Sequence, residues 1–176
     1  KEGRQAHPVF SVKYYLEQSS DLSNTFGKDY ARAINHYVKI GYKENRKTAP
    51  VADLGTDFTA NIISAKNTAV SLLANGTAVS LAANSTEGVQ VWKFVRQSNG
   101  SYVITNMGGS GKVLDAGDED INVTIATANG AKEQQWYLYE KNGTYVLKPA
   151  SCTYAVLDLN NSGAASGAGA VRGGVN

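Results

Sequence analysis

Trp92 and Trp136 stand 44 residues apart, each two positions after a glutamine, in Gln90-Val91-Trp92 and Gln134-Gln135-Trp136. Neighbouring segments keep almost the same spacing. "NGSYVI" from Asn99 returns as "NGTYVL" from Asn142, and "KVLDA" from Lys112 returns as "AVLDL" from Ala155, both offset by 43 residues. Counting 44 back from Tyr102 reaches Phe58 in "DFTANI". A period of this length restricts the chain to folds in which one small unit recurs and each copy covers apolar surface that it cannot bury alone. Three related units are thereby predicted from about Phe58 to the end of the chain. A separate match, "KEGR" from Lys1 against "KENR" from Lys43, predicts that residues 1–4 are the tail of a preceding copy of a different repeat.

Within the repeated region the apolar pattern has a period of two. "TAVSLAA", "SYVITN", "NVTIATA" and "TYVLKP" alternate or run in short apolar bursts, as half-buried strands do. Asn-Gly pairs at Asn75, Asn99, Asn129 and Asn142 punctuate them, each predicted as a two-residue hairpin turn with positive φ. Residues 1–48 read differently. Ser11 and Asp29 are placed as helix N-caps and Gly41 as a helix stop. Tyr30, Ile34, Tyr37 and Val38 recur at helical spacing, and Phe10, Tyr14, Tyr15, Leu16, Leu22 and Phe26 are available as the surface they cover. Such a unit is too small to be very stable unless it stacks on other copies or on the next domain. The predicted organisation is a helical repeat unit over 1–48, a linker over 49–54 containing Pro50, and a β domain over 55–176.

Charge and cysteine content narrow the partners. Seventeen Lys and Arg against 15 Asp and Glu give a net charge of +2, with no basic run of the kind that neutralising many phosphates requires, so nucleic acid is not an expected partner. No apolar stretch is long enough to span a bilayer, and the first residues read as mid-domain sequence without a signal peptide, as in an excised piece. The single Cys152 forbids an internal disulfide. With the abundance of Ser, Thr, Asn and Gly, the expected setting is a bacterial protein that is secreted or held at the cell surface.

Three units of roughly 43 residues, with Gln-x-Trp in two of them and "VLD" at Asp115 and Asp158, resemble the ricin B-type β-trefoil lectins. The resemblance implies a mainly β fold, a β-trefoil of three repeats behind a small N-terminal α-helical unit. It also implies a third Gln-x-Trp near position 180, beyond Asn176, and hence a last strand or two still to come, with a gap beside Trp92 and Trp136. In a trefoil these tryptophans are structural core, since an indole removes more surface from water than any aliphatic side chain. The segment carrying Tyr14-Tyr15-Leu16, Phe26-Gly27, Asn35-His36-Tyr37 and Lys43-Glu44-Asn45-Arg46 is similar to the Tyr-rich helical repeats of secreted clostridial-type proteins, often found beside cell-wall hydrolases. Neither kind of unit is itself catalytic.

Ricin-type sites use the Asp of "VLD" to accept bonds from two sugar hydroxyls, an aromatic ring against the apolar sugar face, and polar groups beside Gln-x-Trp. Carried over, the carbohydrate-binding candidates are Asp115, Glu133 and Gln134 in the second unit and Asp158 in the third. The first unit places Ser71 or Leu72 at the Asp position, so no site is expected there. In the second unit Thr124 and Ala126 fall where the ring should be, and Tyr137 should point elsewhere. Asp115 and Asp158 serve equally as caps of the turn after their strand. The acidic run Asp118, Glu119 and Asp120 lacks the alternating spacing of a calcium loop and reads as a solvated loop. His36 and His7 have no paired nucleophile, and Cys152 reads as a small buried residue, so no catalytic residue, metal or cofactor is expected.

The expectation is a non-catalytic carbohydrate-binding module of a multi-domain protein, directed to a galactose-type or cell-wall sugar and working alongside other domains of its parent. The alternative is a structural or protein-interaction trefoil whose sugar sites have decayed.

Overall fold

The computed structural model describes residues 9–44, 46–117, 122–152, 155–159 and 170–174. The predicted helix caps form. Ser11 Oγ accepts the Tyr14 N–H at 3.3 Å at the start of α1 (Val12–Glu17), and Asp29 Oδ1 accepts the Arg32 N–H at 3.1 Å at the start of α3 (Tyr30–Lys39). Between them lies α2 (Ser20–Phe26). Phe10, Tyr15, Leu16, Leu22, Ala33 and Tyr37 close a core, in which the Phe10 ring stacks on Tyr37 at 4.3 Å and Tyr15 meets Tyr37 edge-on at 5.6 Å.

One helical expectation is corrected. Tyr30 and Val38, placed on the covered stripe, are 44% and 52% exposed. At 100° per residue the buried arc of α3 is centred on Ala33 and Tyr37, with Ile34 beside it, so that Val38 lies past its edge and Tyr30 at the open first turn. Gly41 follows the end of α3 as expected, directly after the Ile40 cap, and there opens a 3₁₀ turn over Gly41–Lys43. Its purpose is space. A Cβ at Gly41 would collide with the Tyr15 hydroxyl, which sits 3.0 Å from His36 Nδ1. His36 therefore packs and bonds inside the helical unit.

The β region repeats four-strand units. The first holds β1 (Asp57–Asn61), β2 (Val70–Asn75), β3 (Ala78–Ala83) and β4 (Val91–Arg96). The second holds β5 (Tyr102–Asn106), β6 (Val113–Asp115), β7 (Thr124–Ala126) and β8 (Trp136–Lys141). Of the third, the described residues supply β9 (Thr144–Pro149), β10 (Ala155–Leu159) and β11 (Ala170–Gly174). All pairs are antiparallel. Outer strands pair within a unit (β1 with β4, β5 with β8) and between units (β4 with β5, β8 with β9), while the inner strands form the hairpins β2–β3, β6–β7 and β10–β11.

Among the described residues β9 pairs with β8 alone, the open edge expected of the third unit. The gap expected beside the tryptophans is not there: Trp92 and Trp136 are fully buried. Each indole is closed over within its own unit, Trp92 Nε1 donating to Leu72 O at 3.1 Å and Trp136 Nε1 to Leu114 O at 3.0 Å. The exposure falls on the edge strand β9 itself. Phe58 stacks on Phe94 and meets Tyr102 edge-on inside the core, whereas Tyr145, their counterpart in β9, is 45% exposed.

Only one of the four Asn-Gly pairs is the predicted two-residue turn. Asn142 and Gly143, with φ of 53° and 76°, join Lys141 to its partner Thr144. Asn75 instead pairs with Ala78, which moves the first hairpin loop to Gly76-Thr77. Asn99 and Asn129 lie in longer loops, where their side chains accept the N–H groups of Ser101 and Ala131. An Asn side chain that can bond two residues ahead stabilises a longer loop as readily as a tight turn.

The 49–54 segment is tied to the β region. Ala52 N–H donates to Leu138 O at 2.7 Å, Leu54 N–H donates to the Tyr102 hydroxyl at 3.0 Å, and that hydroxyl donates to Gly55 O at 3.0 Å. The tail match at residues 1–4, His7, the acidic run 118–120 and residues 160–169 of the glycine-rich stretch lie outside the described residues.

The Gly41 contact makes a prediction. Gly41→Ala should lower the stability of the helical unit by about 1–3 kcal/mol, the usual cost of overpacking. Adding Tyr15→Phe, which removes the colliding oxygen, should recover part of that loss in thermal unfolding followed by circular dichroism.

Candidate functional site

Asp115 ends β6 with its carboxylate committed at both oxygens. Oδ1 accepts the Gly117 N–H at 2.7 Å, and Oδ2 accepts Gln134 Nε2 at 2.8 Å. Gly117 has φ of 63°, a conformation that lets its N–H turn back on the carboxylate and that a side chain would resist. Gln134 is itself buried. Its Nε2 also donates to Thr127 O at 3.0 Å, and its Oε1 accepts the Asn129 N–H at 2.9 Å. One amide therefore holds the end of β6, the end of β7 and the loop before β8.

Above this arrangement lies an open pocket of about 310 Å³, lined by Asp115, Gly117, Thr124, Asn129, Ala131 and Glu133. An ionised carboxylate accepts through about four lone pairs, so with two taken internally Asp115 still has acceptors for hydroxyl groups arriving from the pocket. Of the residues expected from the sequence, Asp115, Glu133 and Gln134 come together here. Asp158 does not: it lies on β10, exposed and opposite Val171 of β11. Gly117, Asn129 and Ala131 were not foreseen. Asn129 carried a visible signal in its Asn-Gly pair, which reads as a turn and not as a wall. The aromatic position is held by Thr124, and among the described residues no ring lines the pocket. Trp136 lies beneath the site, in the core.

The first unit shows what the pocket depends on. The two indole bonds make Leu72 the counterpart of Leu114, so the residue matching Asp115 is Leu73, one position beyond the Ser71 or Leu72 expected from the sequence. The insensitivity of sequence spacing to a one-residue register change explains the difference. Gln90 keeps one bond of its counterpart's set, Nε2 to Ala83 O at 3.0 Å, but among the described residues its buried Oε1 has no partner, nor has Ser71 Oγ. With Leu73 apolar, no anchoring carboxylate is present. Among the described residues no three His, Cys, Asp or Glu side chains cluster as metal ligands, and no helix is long and apolar enough to cross a membrane.

Residues 88–171 match the family model described as "Ricin-type beta-trefoil lectin domain-like". The fold of this region is a β-trefoil, similar to that family. The designed three-fold symmetric protein ThreeFoil superposes on the chain with a TM-score of 0.61 at 22% identity, covering 67% of this chain and 90% of ThreeFoil. The Macrolepiota procera ricin B-like lectin, solved in complex with lactose, has a TM-score of 0.58 at 12% identity, covering 71% and 91%. A mosquitocidal holotoxin reaches 0.66 at 20% identity over 74% of this chain, but the match spans only 16% of the toxin's length. No curated protein sequence matches the chain. At these identities the structural likeness establishes the trefoil fold and leaves the ligand open.

The unequal bonding of the two trefoil glutamines can be measured. Gln134→Leu strands Thr127 O, the Asn129 N–H and one Asp115 oxygen, and should cost about 1–3 kcal/mol or more in denaturant unfolding. Gln90→Leu removes an orphaned buried acceptor together with one bond and should be much closer to neutral.

Proposed function

We propose that the trefoil is a non-catalytic carbohydrate-binding module of a larger, secreted bacterial protein, and that its second unit holds the glycan at Asp115. The observation that carries this reading is the Asp115 carboxylate itself. It is oriented by Gln134 and the Gly117 N–H and stands in the wall of a pocket wide enough for one sugar ring. Two hydroxyls on neighbouring sugar carbons match the remaining acceptors, and Asn129 and Glu133 lie beside them. The Macrolepiota procera lectin, bound to lactose, supports a galactose-type ligand. The small share of the holotoxin that is matched supports a module within a longer chain. Asp158 is the second candidate anchor, and the N-terminal helices are proposed to serve as a cell-wall-associated repeat beside the module.

A second reading is favoured by one feature. Thr124 gives no stacking face, and both Asp115 oxygens are already bonded within the unit, as a structural cap would be. On that reading the trefoil docks other domains and binds no sugar.

A glycan array followed by calorimetry separates the two. Asp115→Ala should weaken binding of the best galactose-type hit by about 1.5–3 kcal/mol, the range for hydrogen bonds to a charged group, and Thr124→Trp should strengthen it by supplying the missing ring. An array without hits, joined to an Asp115→Ala variant altered only in melting temperature, would establish the structural reading.

A further inference from the structure

A second cavity, of about 440 Å³, lies between the helical unit and the trefoil, on the opposite side of β8 from the core. Four cations line it: Arg46 and Lys47 from the segment after α3, Arg96 from the end of β4, and Lys148 from β9. Among the described lining residues there is no carboxylate. Asp21, Glu44 and Asp53 pair with the two arginines, so among the described residues the uncompensated positive charge of the cavity is that of Lys47 and Lys148. The cavity also explains where Tyr137 points. Tyr14 from α1 and Tyr137 and Tyr139 from β8 put three rings into the same cavity.

The cations differ in what already holds them. Arg46 is bonded to both oxygens of Asp21 at 2.8 Å and to Glu44 at 2.6 Å, and Arg96 is paired with Asp53 at 2.8 Å. Lys148 is half-buried, across the β8–β9 ladder from Tyr137, and has no acidic partner within ion-pair distance among the described residues. Burial pushes its ammonium below the usual lysine range, the mark of a charge removed from water without compensation. The Tyr139 hydroxyl, pushed up to about 12 by burial, stays protonated at neutral pH and available to donate. Arginine carries five N–H donors, so Arg96 keeps donors beyond the one given to Asp53.

We propose that this cleft binds an oxyanion, a carboxylate, sulfate or phosphate, carried on a ligand of about sugar size, with Lys148 as its charge partner. The anion supplies the counter-charge that the fold withholds from Lys148. The guanidinium of Arg96 and the ammonium of Lys47 complete the positive rim, and the tyrosines offer ring faces to the body of the ligand and hydroxyl donors to its oxygens. The site is separate from the Asp115 pocket in place and opposite to it in charge, and it does not depend on the sugar-binding reading.

The test is an amide-resolved NMR titration of the full chain, with calorimetry in parallel, using glucuronate, inorganic sulfate and neutral glucose as probes at low salt. Glucuronate or sulfate is expected to bind saturably and to shift the Ala49, Asn99 and Gly100 amides. Glucuronate above sulfate would assign the site to an acidic sugar; sulfate above glucuronate would assign it to the oxyanion alone. Lys148→Gln should weaken binding by about tenfold or more, the change for losing one charge-assisted contact, while Lys148→Arg retains most of it. No saturable binding of either anion, equal binding of glucose, or binding untouched by Lys148→Gln would overturn the proposal. If Lys148→Gln fails to fold, the wild-type shift map decides, and shifts centred away from Ala49, Asn99 and Gly100 count against it.

Discussion

The bond from each buried indole N–H to a carbonyl of its own unit is the constraint on which the β domain rests. Burying Trp92 or Trp136 takes a large apolar surface from water, but it also buries an N–H that must find an acceptor. Leu72 O and Leu114 O are those acceptors, and meeting them sets how the fourth strand of a unit lies against the second. The glutamine two residues earlier then has its place decided, directed at the end of the third strand in both units. Core packing and site geometry are thus consequences of one recurring interaction.

Because the scaffold is shared, the difference between the units reduces to one side chain on the second strand. With Asp115 present, Gln134 becomes the centre of a satisfied network joining two strand ends and a loop. With Leu73 in its place, Gln90 retains a buried acceptor that no described residue meets. An unsatisfied buried group costs free energy, which is tolerated here because the indole below carries the packing of the unit. The trefoil fold can therefore lose a polar site in one unit while retaining the unit itself.

The helical unit has a small core of its own and leans on the trefoil at a few points. Segment 49–54 is tied by one backbone bond to β8 and by the Tyr102 hydroxyl to β5, so the end of the helical unit is held against the trefoil. The charged cleft exists only because of this closure. Its walls come from α1, the 46–51 segment, β4, β8 and β9, elements far apart in the chain.

The period-two apolar pattern and the cap residues were enough to anticipate the mainly β architecture and the helix caps at Ser11 and Asp29, while the core role of Trp92 and Trp136 and the grouping of Asp115 with Gln134 and Glu133 came from the family resemblance that the repeated Gln-x-Trp and "VLD" carry. The first two follow from local chemistry, which is written along the chain. Tertiary structure alone decided that Leu73 is the counterpart of Asp115, because spacing does not resolve a one-residue register and the indole bonds do. It decided that Gly41 is required by the Tyr15 hydroxyl as well as standing at the helix end, since a steric demand from 26 residues away leaves no trace in a local pattern. It also decided that Lys148 lies among three tyrosines without a counter-charge among the described residues, because whether a charge has a partner depends on which distant segments fold over it.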